Sequence, residues 1–370
     1  MSLSYEKAGV SIDTADAAKQ QMASTMATKD PRVLHRPGAF AALFEASFPG
    51  IPKPVLVMKT EEPGSKQKMV MQYPGPGRPA SVAYDMIHHL INDIIVVGAQ
   101  PLIVQDCIVC GKLQKDVVLA IVGAVNDACR RNDCLLIGGE TSEQPGVLDA
   151  GTYILSSSIV GVVDKENIID GRHIQLGDTV LAIPSNGLHT NGYSLVRALL
   201  AQHPNLPNQL FTNEHGQQET FIDAILKPHT CYYQPLKKVF ADQAGRGEGN
   251  NPSRDRKGAT VPPLRGLAHI TGGGIAGNLN RILPPSMDAL IDAAALRVLP
   301  LFKLIQQLGN VPEADMLKTF NMGVGMTLVC APDATASIIS HLAAFNLAAY
   351  PIGSITQGSA TVRYQGQVQW

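Results

Sequence analysis

Residues 101–141 read PLIVQDCIVCGKLQKDVVLAIVGAVNDACRRNDCLLIGGET. The apolar, β-branched runs at 101–109 and 134–138 predict two buried strands, and the segment 115–131 between them predicts a helix. A strand, a helix and a second strand in this order are typical of α/β and α+β folds. The second strand ends in two glycines and a glutamate, which places a carboxylate where such folds bind ligands.

The alternation of strands and helices continues on both sides of this stretch. The further predicted strands are 54–58, 152–163, 178–183, 266–270 and 326–330, and the further helices are 82–97, 193–202, 275–282 and 333–345. A polar, glycine-bearing segment at 164–177 separates two such series, so we expect domains at residues 1–165 and 175–370. Residues 243–262 lack apolar periodicity and predict a mobile surface insertion in the second domain.

Composition excludes several classes of protein. The 370 residues include 30 basic and 31 acidic side chains, a balance that is unlike a dedicated nucleic-acid binder. With 45% hydrophobic residues the chain can bury a core, and no apolar run is long enough to predict a membrane helix. The first residues show no secretory signal, so we expect a cytoplasmic location. Six cysteines fit a reducing compartment, and Cys107 and Cys110 are favoured as buried thiols over a zinc or redox pair.

The predicted helix at 82–97 carries polar residues on one face. Asp85, His89 and Asn92 fall within about 60° of one another at 100° per residue, with Asp93 at the edge. Carboxylate and amide oxygens can hold Mg²⁺. A solvated helix face is the alternative interpretation.

Two further polar segments follow predicted strands. Glu140 ends the Gly-Gly-Glu turn, where it could meet a metal or a ligand amine, although a simple tight turn is as good an interpretation. Residues 60–66 read TEEPGSK, in which Glu61 and Glu62 could coordinate a metal and Lys66 could pair with a phosphate. A polar turn explains these residues equally well.

Two strand–loop–helix segments predict anion binding. The loop 185–192 reads SNGLHTNG and the segment 269–274 reads HITGGG, and each precedes a predicted helix. Backbone N–H groups at such turns attract phosphate, and His189 could donate to a phosphate or transfer a proton. An N-capped turn with an exposed histidine is the alternative for the first loop. Neither segment has the P-loop pattern or the dinucleotide fingerprint.

Taken together, these motifs resemble the phosphoribosylformylglycinamidine cyclo-ligase (aminoimidazole ribonucleotide synthetase) family over nearly the whole chain. Each motif alone is weak, but they occur in the family's order with suitable gaps. The matching segments are Tyr5–Asp13, Asn92-Asp93 with 97–102, Asp106 with 111–113, 138–141 with Pro145-Gly146, 185–197, 269–274 and 320–326.

The resemblance implies a fold, a reaction and a set of residues. The fold has two α/β domains, of which the first binds ATP and forms a β-barrel with its counterpart in a homodimer. The reaction uses ATP and Mg²⁺ to close the ring of formylglycinamidine ribonucleotide through an iminophosphate, and positioning and charge neutralisation carry it. By position, the implied catalytic residues are Asp106, His189 and Asn191; the ATP-binding residues Gly64, Ser65, Lys66, Asn92, Asp93, Asp106, Gly139 and Glu140; the metal ligands Glu61, Asp85 and Asp93; and the substrate or phosphate contacts Ser185, His189, Thr190, Asn191, Thr271, Gly272, Gly273 and Gly274.

The sequence departs from the family in the loop after the first strand. The family usually has Thr-Asp-Gly-Val-Gly-Thr-Lys there, whereas this chain has Glu61, Glu62 and Pro63 in place of Asp-Gly-Val. A homologue that is non-catalytic, or that acts on another substrate within the same ATP-binding superfamily, such as a small-molecule kinase or a selenophosphate synthetase relative, therefore stays open as the alternative function.

Overall fold

The computed structural model describes residues 12–35, 39–245 and 263–370. The chain divides into two compact units, one formed by residues up to Ile94 with Ala99–Lys165, the other by Ile95–Gly98 with Glu166–Trp370. Both units mix helices with a sheet, which confirms the predicted α/β fold class. Within the described ranges, no helix is both long and apolar enough to cross a membrane.

The first unit is built on a four-stranded sheet in the order β1-β4-β2-β3. Strand β2 pairs in parallel with β3 and antiparallel with β4, and β1 is an edge strand antiparallel to β4. The sheet is open in the single chain, so a barrel formed by two chains remains an expectation. The elements of this unit are α1 (Ile12–Thr25), β1 (Pro54–Glu61), α2 (Lys66–Gln72), α3 (Ser81–Ile95), β2 (Gln100–Cys110), α4 (Lys115–Arg131), β3 (Leu135–Glu143) and β4 (Tyr153–Asp164).

The second unit is built on a six-stranded sheet in the order β12-β9-β11-β5-β10-β8, beside a small β6-β7 hairpin. Its elements are β5 (Thr179–Pro184), α5 (Tyr193–Gln202), β6 (Leu210–Thr212), β7 (Gln218–Thr220), α6 (Phe221–Ile225), α7 (Tyr233–Gly245), β8 (Leu264–His269), α8 (Gly274–Leu279), β9 (Met287–Asp292), α9 (Pro300–Gly309), α10 (Glu313–Thr319), β10 (Val324–Cys330), α11 (Thr335–Ala343), β11 (Tyr350–Gln357) and β12 (Val362–Gln365). The predicted insertion at 243–262 lies outside the described residues from 246 onward, and its first three residues continue α7.

The centre of this second sheet sets the position of both predicted anion loops. Every residue of β8 and β10 is buried; this follows from the apolar sequence of β10, whereas β8 also buries Arg265, which is paired with Asp178, and His269. Strand β10 lies between β5 and β8 and is antiparallel to both. Strands β5 and β8 therefore run in the same direction and end at the same edge of the sheet, so the loops that follow them are neighbours.

Candidate functional site

A cleft of about 320 Å³ opens on the sheet of the first unit. Its walls come from three adjacent strands: residues 105–107 of β2, Gly139 and Glu140 of β3, and residues 156–158 of β4. In the strand register Asp106 lies opposite Gly139 on one side and Ser157 on the other. The predicted residues Asp106, Gly139 and Glu140 are thus brought together here.

Asp106 is the buried acid of this cleft. Only 6% of the residue is exposed, and burial raises the pKa of its carboxyl to about 7. Its Oδ2 atom and the Ser157 hydroxyl are both buried without a hydrogen-bond partner among the described residues. These two oxygen atoms without hydrogen-bond partners lie in the same cleft as the exposed Glu140. Oxygen atoms are the ligands that Mg²⁺ prefers, so the cleft fits a magnesium-bound anion.

The side chain of Asp106 requires a glycine at position 139. A Cβ atom on Gly139 would lie 1.8 Å from Asp106 Oδ1 and 2.5 Å from its backbone oxygen. At the preceding Gly138 a Cβ atom would meet its nearest neighbour at 3.5 Å, an ordinary contact. The cleft therefore depends on the second glycine of the pair and not on the first.

We expect Gly139→Ala to destabilise the first unit by about 2 kcal/mol or more, because the added methyl displaces the Asp106 carboxyl or its backbone. Gly138→Ala is the matched control, with an expected change below about 1 kcal/mol. Urea denaturation of the two variants and the parent measures the difference. Equal losses of stability in both variants would contradict the close approach at Gly139.

The polar face of α3 is buried, which corrects the solvated-face interpretation. Asp85 and Asn92 have no exposed surface, and His89 exposes 7%. Asp85 Oδ1 accepts a hydrogen bond from Lys66 Nζ at 2.7 Å, and Lys66 is itself fully buried. Burial lowers the pKa of the Lys66 amine, and the Asp85 carboxylate opposes that shift.

Two of the predicted metal ligands surround a lysine. Lys59 Nζ lies 2.7 Å from Glu61 Oε1 and 3.0 Å from Asp93 Oδ2. Asp85, the third predicted ligand, pairs with Lys66 instead. The structure therefore brings Glu61 and Asp93 together and holds Asp85 in a separate ion pair.

The divergent loop between β1 and α2 needs little left-handed backbone. Gly64 has a φ of 61°, whereas Glu62 and Ser65 are not among the residues with positive φ. Pro63 is buried, and Ser65 precedes α2 without a capping hydrogen bond from its side chain. The glutamate at position 62 therefore fits its backbone conformation here.

The CxxC pair behaves as two thiols. Cys107 lines the cleft and Cys110 is buried, and both are free cysteines. Burial raises the pKa of the Cys110 thiol to about 11. A neutral thiol is a poor metal ligand or nucleophile, which favours packing over zinc or redox chemistry.

In the second unit, buried asparagines hold the two predicted anion loops. Asn321 accepts a hydrogen bond from Ser185 Oγ at 3.1 Å and donates to the Gly187 oxygen at 2.9 Å. Asn278 donates to the oxygen of Gly274 at 2.8 Å and accepts from Thr271 Oγ1 at 3.2 Å. The hydroxyls of Ser185 and Thr271 are therefore engaged in holding the loops.

The backbone of the glycine loop is also partly engaged. The N–H of Gly273 donates to the Lys318 oxygen and that of Gly274 to the Thr271 oxygen. Two of the three glycine amides expected in a phosphate nest are therefore used within the fold. Both residues have positive φ, and a Cβ atom on Gly274 would lie 1.9 Å from the Leu317 oxygen.

Asn191 lies where the loops 185–192 and 269–274 meet, and its side chain offers a hydrogen-bond donor. A Cβ atom on Gly272 would lie 3.3 Å from Asn191 Oδ1, so the two loops touch at this point. The Asn191 amide nitrogen is buried, and no hydrogen-bond partner for it occurs in the part of the chain that the structure describes. A buried donor without a partner suits an anionic ligand. Thr190, the neighbouring predicted contact, is half-buried.

His189 is buried and held in a left-handed backbone conformation. Its φ is 58°, and it exposes 1% of its surface, so the exposed-histidine interpretation is wrong. Its ring stacks on that of His229, with centroids 3.8 Å apart, and His229 Nε2 lies 3.0 Å from His269 Nε2. Residues other than glycine rarely adopt a positive φ, and those that do, such as His189, are found more often at functional sites.

Three residues of this site were not predicted as members of it. His229 lies before α7 in a segment without a predicted element, and nothing in its local sequence separates it from an ordinary loop histidine. Asn278 and Asn321 act through tertiary hydrogen bonds to loops distant in sequence. Only the adjacent glycines and the family motif around Asn321 gave any signal.

Comparisons with known proteins match both units. The family model of AIR synthase related protein, N-terminal domain, matches residues 50–163, and the model of the C-terminal domain matches residues 256–365. A phosphoribosylformylglycinamidine cyclo-ligase of Bordetella pertussis is 40% identical over 345 residues, covering 92% of this chain and 90% of the relative. One of Desulfitobacterium hafniense is 36% identical over 365 residues, covering 98% of this chain and 100% of the relative.

Solved structures with the same fold are more distant in sequence. E. coli HypE superposes with a TM-score of 0.65 at 16% identity, covering 95% of this chain and 94% of that one. The thiamine-monophosphate kinase of Stenotrophomonas maltophilia K279a gives 0.57 at 17% identity, covering 96% of each chain. These likenesses concern the fold alone. The near-full-length identity to the curated relatives, together with both domain matches, shows that the chain belongs to the phosphoribosylformylglycinamidine cyclo-ligase family of AIR synthase related proteins.

Proposed function

We propose that the protein uses ATP and Mg²⁺ to close formylglycinamidine ribonucleotide to aminoimidazole ribonucleotide in purine biosynthesis. The observation that carries this proposal is the 34–40% identity to cyclo-ligases over nearly the whole chain. In this reaction ATP supplies the phosphoryl group that activates the amide oxygen of the substrate. The neighbouring nitrogen then attacks, and phosphate leaves as the ring closes.

The residues of the first unit suit the nucleotide. Asp106, Ser157 and Glu140 offer oxygen ligands for the magnesium ion of a metal–nucleotide complex. Gly139 leaves room for the Asp106 carboxyl. These residues bind and orient the phosphates, and charge neutralisation of this kind is the main contribution of a protein to phosphoryl transfer.

The residues of the second unit suit the phosphate of the ribonucleotide. The amide nitrogen of Asn191, which has no partner among the described residues, can donate to a phosphate oxygen, and Gly272 lies beside it without a side chain. His189 is held by its loop, where its ring can donate to an anion or move a proton. Asn278 and Asn321 keep both loops in place.

A homodimer in the cytoplasm completes the proposal. The edge strand β1 exposes the apolar side chains of Leu56 (48%) and Met58 (69%). An unpaired edge with apolar side chains is a surface that a second chain can cover. Size-exclusion chromatography with light scattering would report the mass of two chains.

An activity assay tests the proposed reaction. The purified protein is given formylglycinamidine ribonucleotide, ATP and Mg²⁺, and formation of the aminoimidazole is followed. Turnover that requires all three supports the proposal. No product at high enzyme concentration, with nucleotide binding intact, would favour the alternative of a non-catalytic or altered-substrate homologue, and restoring Asp-Gly-Val at 61–63 would then test whether that loop is the cause.

We expect Asn191→Asp to raise the KM for the ribonucleotide by at least about tenfold while the KM for ATP stays within about twofold. The substitution keeps the shape of the side chain but replaces its buried donor by a carboxylate that repels phosphate. Steady-state kinetics with each substrate varied in turn measure the split. Asn205→Asp, at an exposed position after α5, is the matched control and should change neither constant. Equal increases in both KM values would argue against a substrate-specific role of Asn191.

A further inference from the structure

Three histidines from separate parts of the second unit converge. His189 lies in the loop after β5, His229 in the segment before α7, and His269 at the end of β8. One ring nitrogen from each lies within 4.8 Å of the others, and none of the residues exposes more than 6% of its surface. We propose that these histidines form a binding site for a divalent transition-metal ion of the zinc type, distinct from the magnesium required by the proposed reaction.

The distances are near those of a bound ion. Tetrahedral zinc binds imidazole nitrogens at about 2.0–2.1 Å, which places pairs of ligand nitrogens about 3.4 Å apart. His229 Nε2 and His269 Nε2 are 3.0 Å apart. The His189 ring is stacked on His229 at a centroid distance of 3.8 Å, and its nitrogen lies within 4.8 Å of the other two, so a side-chain rotation would bring it to that spacing.

The surrounding structure holds the three histidines in place. The Asn186 amide donates to the Pro228 oxygen at 2.8 Å, and the Tyr232 hydroxyl donates to the Pro184 oxygen at 2.8 Å, so the segment of His229 is tied to the end of β5 on both sides. A Cβ atom on Gly325 would lie 2.8 Å from His189 Cε1, which shows how closely β10 supports that ring. The backbone that carries these ligands is therefore fixed before the ion binds, which favours affinity, and only the His189 side chain has to rotate.

The donor set selects the class of metal. Three neutral imidazoles suit Zn²⁺, Co²⁺, Ni²⁺ or Cu²⁺, whereas Mg²⁺ prefers carboxylate, carbonyl and water oxygens. Three histidine ligands also leave a fourth tetrahedral position for water or another small ligand. The two metal sites of this chain thus differ in chemistry: oxygen ligands around Asp106 and nitrogen ligands around His229.

Metal binding to the chelator-treated full chain tests the proposal without reference to activity. We expect equilibrium dialysis with Zn²⁺ in the presence of excess Mg²⁺ to give one tightly bound ion per chain. Co²⁺ should produce the visible absorption of a tetrahedral site without a thiolate charge-transfer band, which would separate this site from the six cysteines. His229→Gln and His269→Gln should each weaken binding at least tenfold.

Controls separate a local effect from a loss of folding. His215→Gln, at an exposed histidine of the β6–β7 hairpin, should bind the ion as the parent does. Circular dichroism of each variant checks its fold. The number of Zn²⁺ ions bound per chain of the parent is measured without any variant, so it does not depend on how the variants fold. No tight ion in the parent, a cobalt spectrum with a thiolate band, or unchanged affinity in folded His229→Gln and His269→Gln would each overturn the proposal and leave a hydrogen-bonded histidine cluster.

Discussion

Asp106→Asn is expected to make the protein more stable at pH 8 in metal-free buffer and to lower kcat by about 100-fold or more. The loss of activity follows from removing a charged oxygen ligand at the proposed nucleotide cleft. The gain in stability follows from burial, which raises the pKa of the Asp106 carboxyl to about 7. Both effects have the same origin: the buried carboxylate that binds the metal ion lowers the free energy of unfolding when it is charged and no ion is bound.

The sign of the pH dependence follows from proton linkage. In the unfolded chain an aspartate titrates near its ordinary value of 3.8, so between that pH and about 7 the folded state binds more protons. The free energy of unfolding therefore falls as the pH rises through this window. The full loss of unfolding free energy is reached above pH 7. A rise of about 3 units in the pKa of Asp106 sets its upper limit at about 4 kcal/mol.

Urea denaturation of the parent and Asp106→Asn at pH 5 and pH 8 measures this effect. We expect the two proteins to differ by about 2–4 kcal/mol at pH 8 and by less at pH 5. Added Mg²⁺ should narrow the difference at pH 8, because the ion favours the charged carboxyl of the parent only. A variant less stable than the parent at pH 8, or one that keeps full activity, would show that Asp106 serves the fold and not the cleft.

Local sequence patterns were sufficient for the elements that carry the cleft and the anion loops. The strand–helix–strand order of 101–141 appears as β2, α4 and β3, and the helix at 193–202 matches α5 at both ends. Strands β9, β11 and β12 were not predicted. Pro351 and Gly353 interrupt the apolar pattern of β11, and β12 is short and half-exposed, so both depend on pairing within the sheet.

In the candidate sites, too, the sequence predicted some residues but not the contacts between their side chains. Glu140 was predicted from its place at the end of a strand, and Asp106 and Gly139 from the family resemblance; the register of β2 and β3 brings the three together. The predicted loops after β5 and β8 meet because those strands end at one edge. The side-chain pairings could not be predicted in this way. His229 meets His269 across 40 residues and Lys66 meets Asp85 across 19, and no local period specifies either contact. Tertiary packing alone decides which charges are buried together.

Lys66→Met is expected to lower the free energy of unfolding of the first unit by about 3–5 kcal/mol, because it removes the lysine that pairs with the fully buried Asp85 carboxylate. Asp85→Asn should destabilise by a similar amount. The double variant should recover about 2–3 kcal/mol of the summed losses, since neither position of the buried pair then carries a charge. Lys68→Met, at an exposed position of the same helix, is the matched control with little expected change.

The same variants decide whether Lys66 is structural or binds phosphate. In the structure the Lys66 amine is fully buried and bonded to Asp85, so ATP affinity measured well below the unfolding temperature should change equally in Lys66→Met and Asp85→Asn. A phosphate-binding lysine predicts another outcome: the ATP dissociation constant would rise more than tenfold in Lys66→Met alone, with stability near that of the parent. In that case Lys66 would bind the nucleotide even though the loop before it carries the buried Pro63 and the charged Glu62. Its ion pair with Asp85 would have to break before ATP binds.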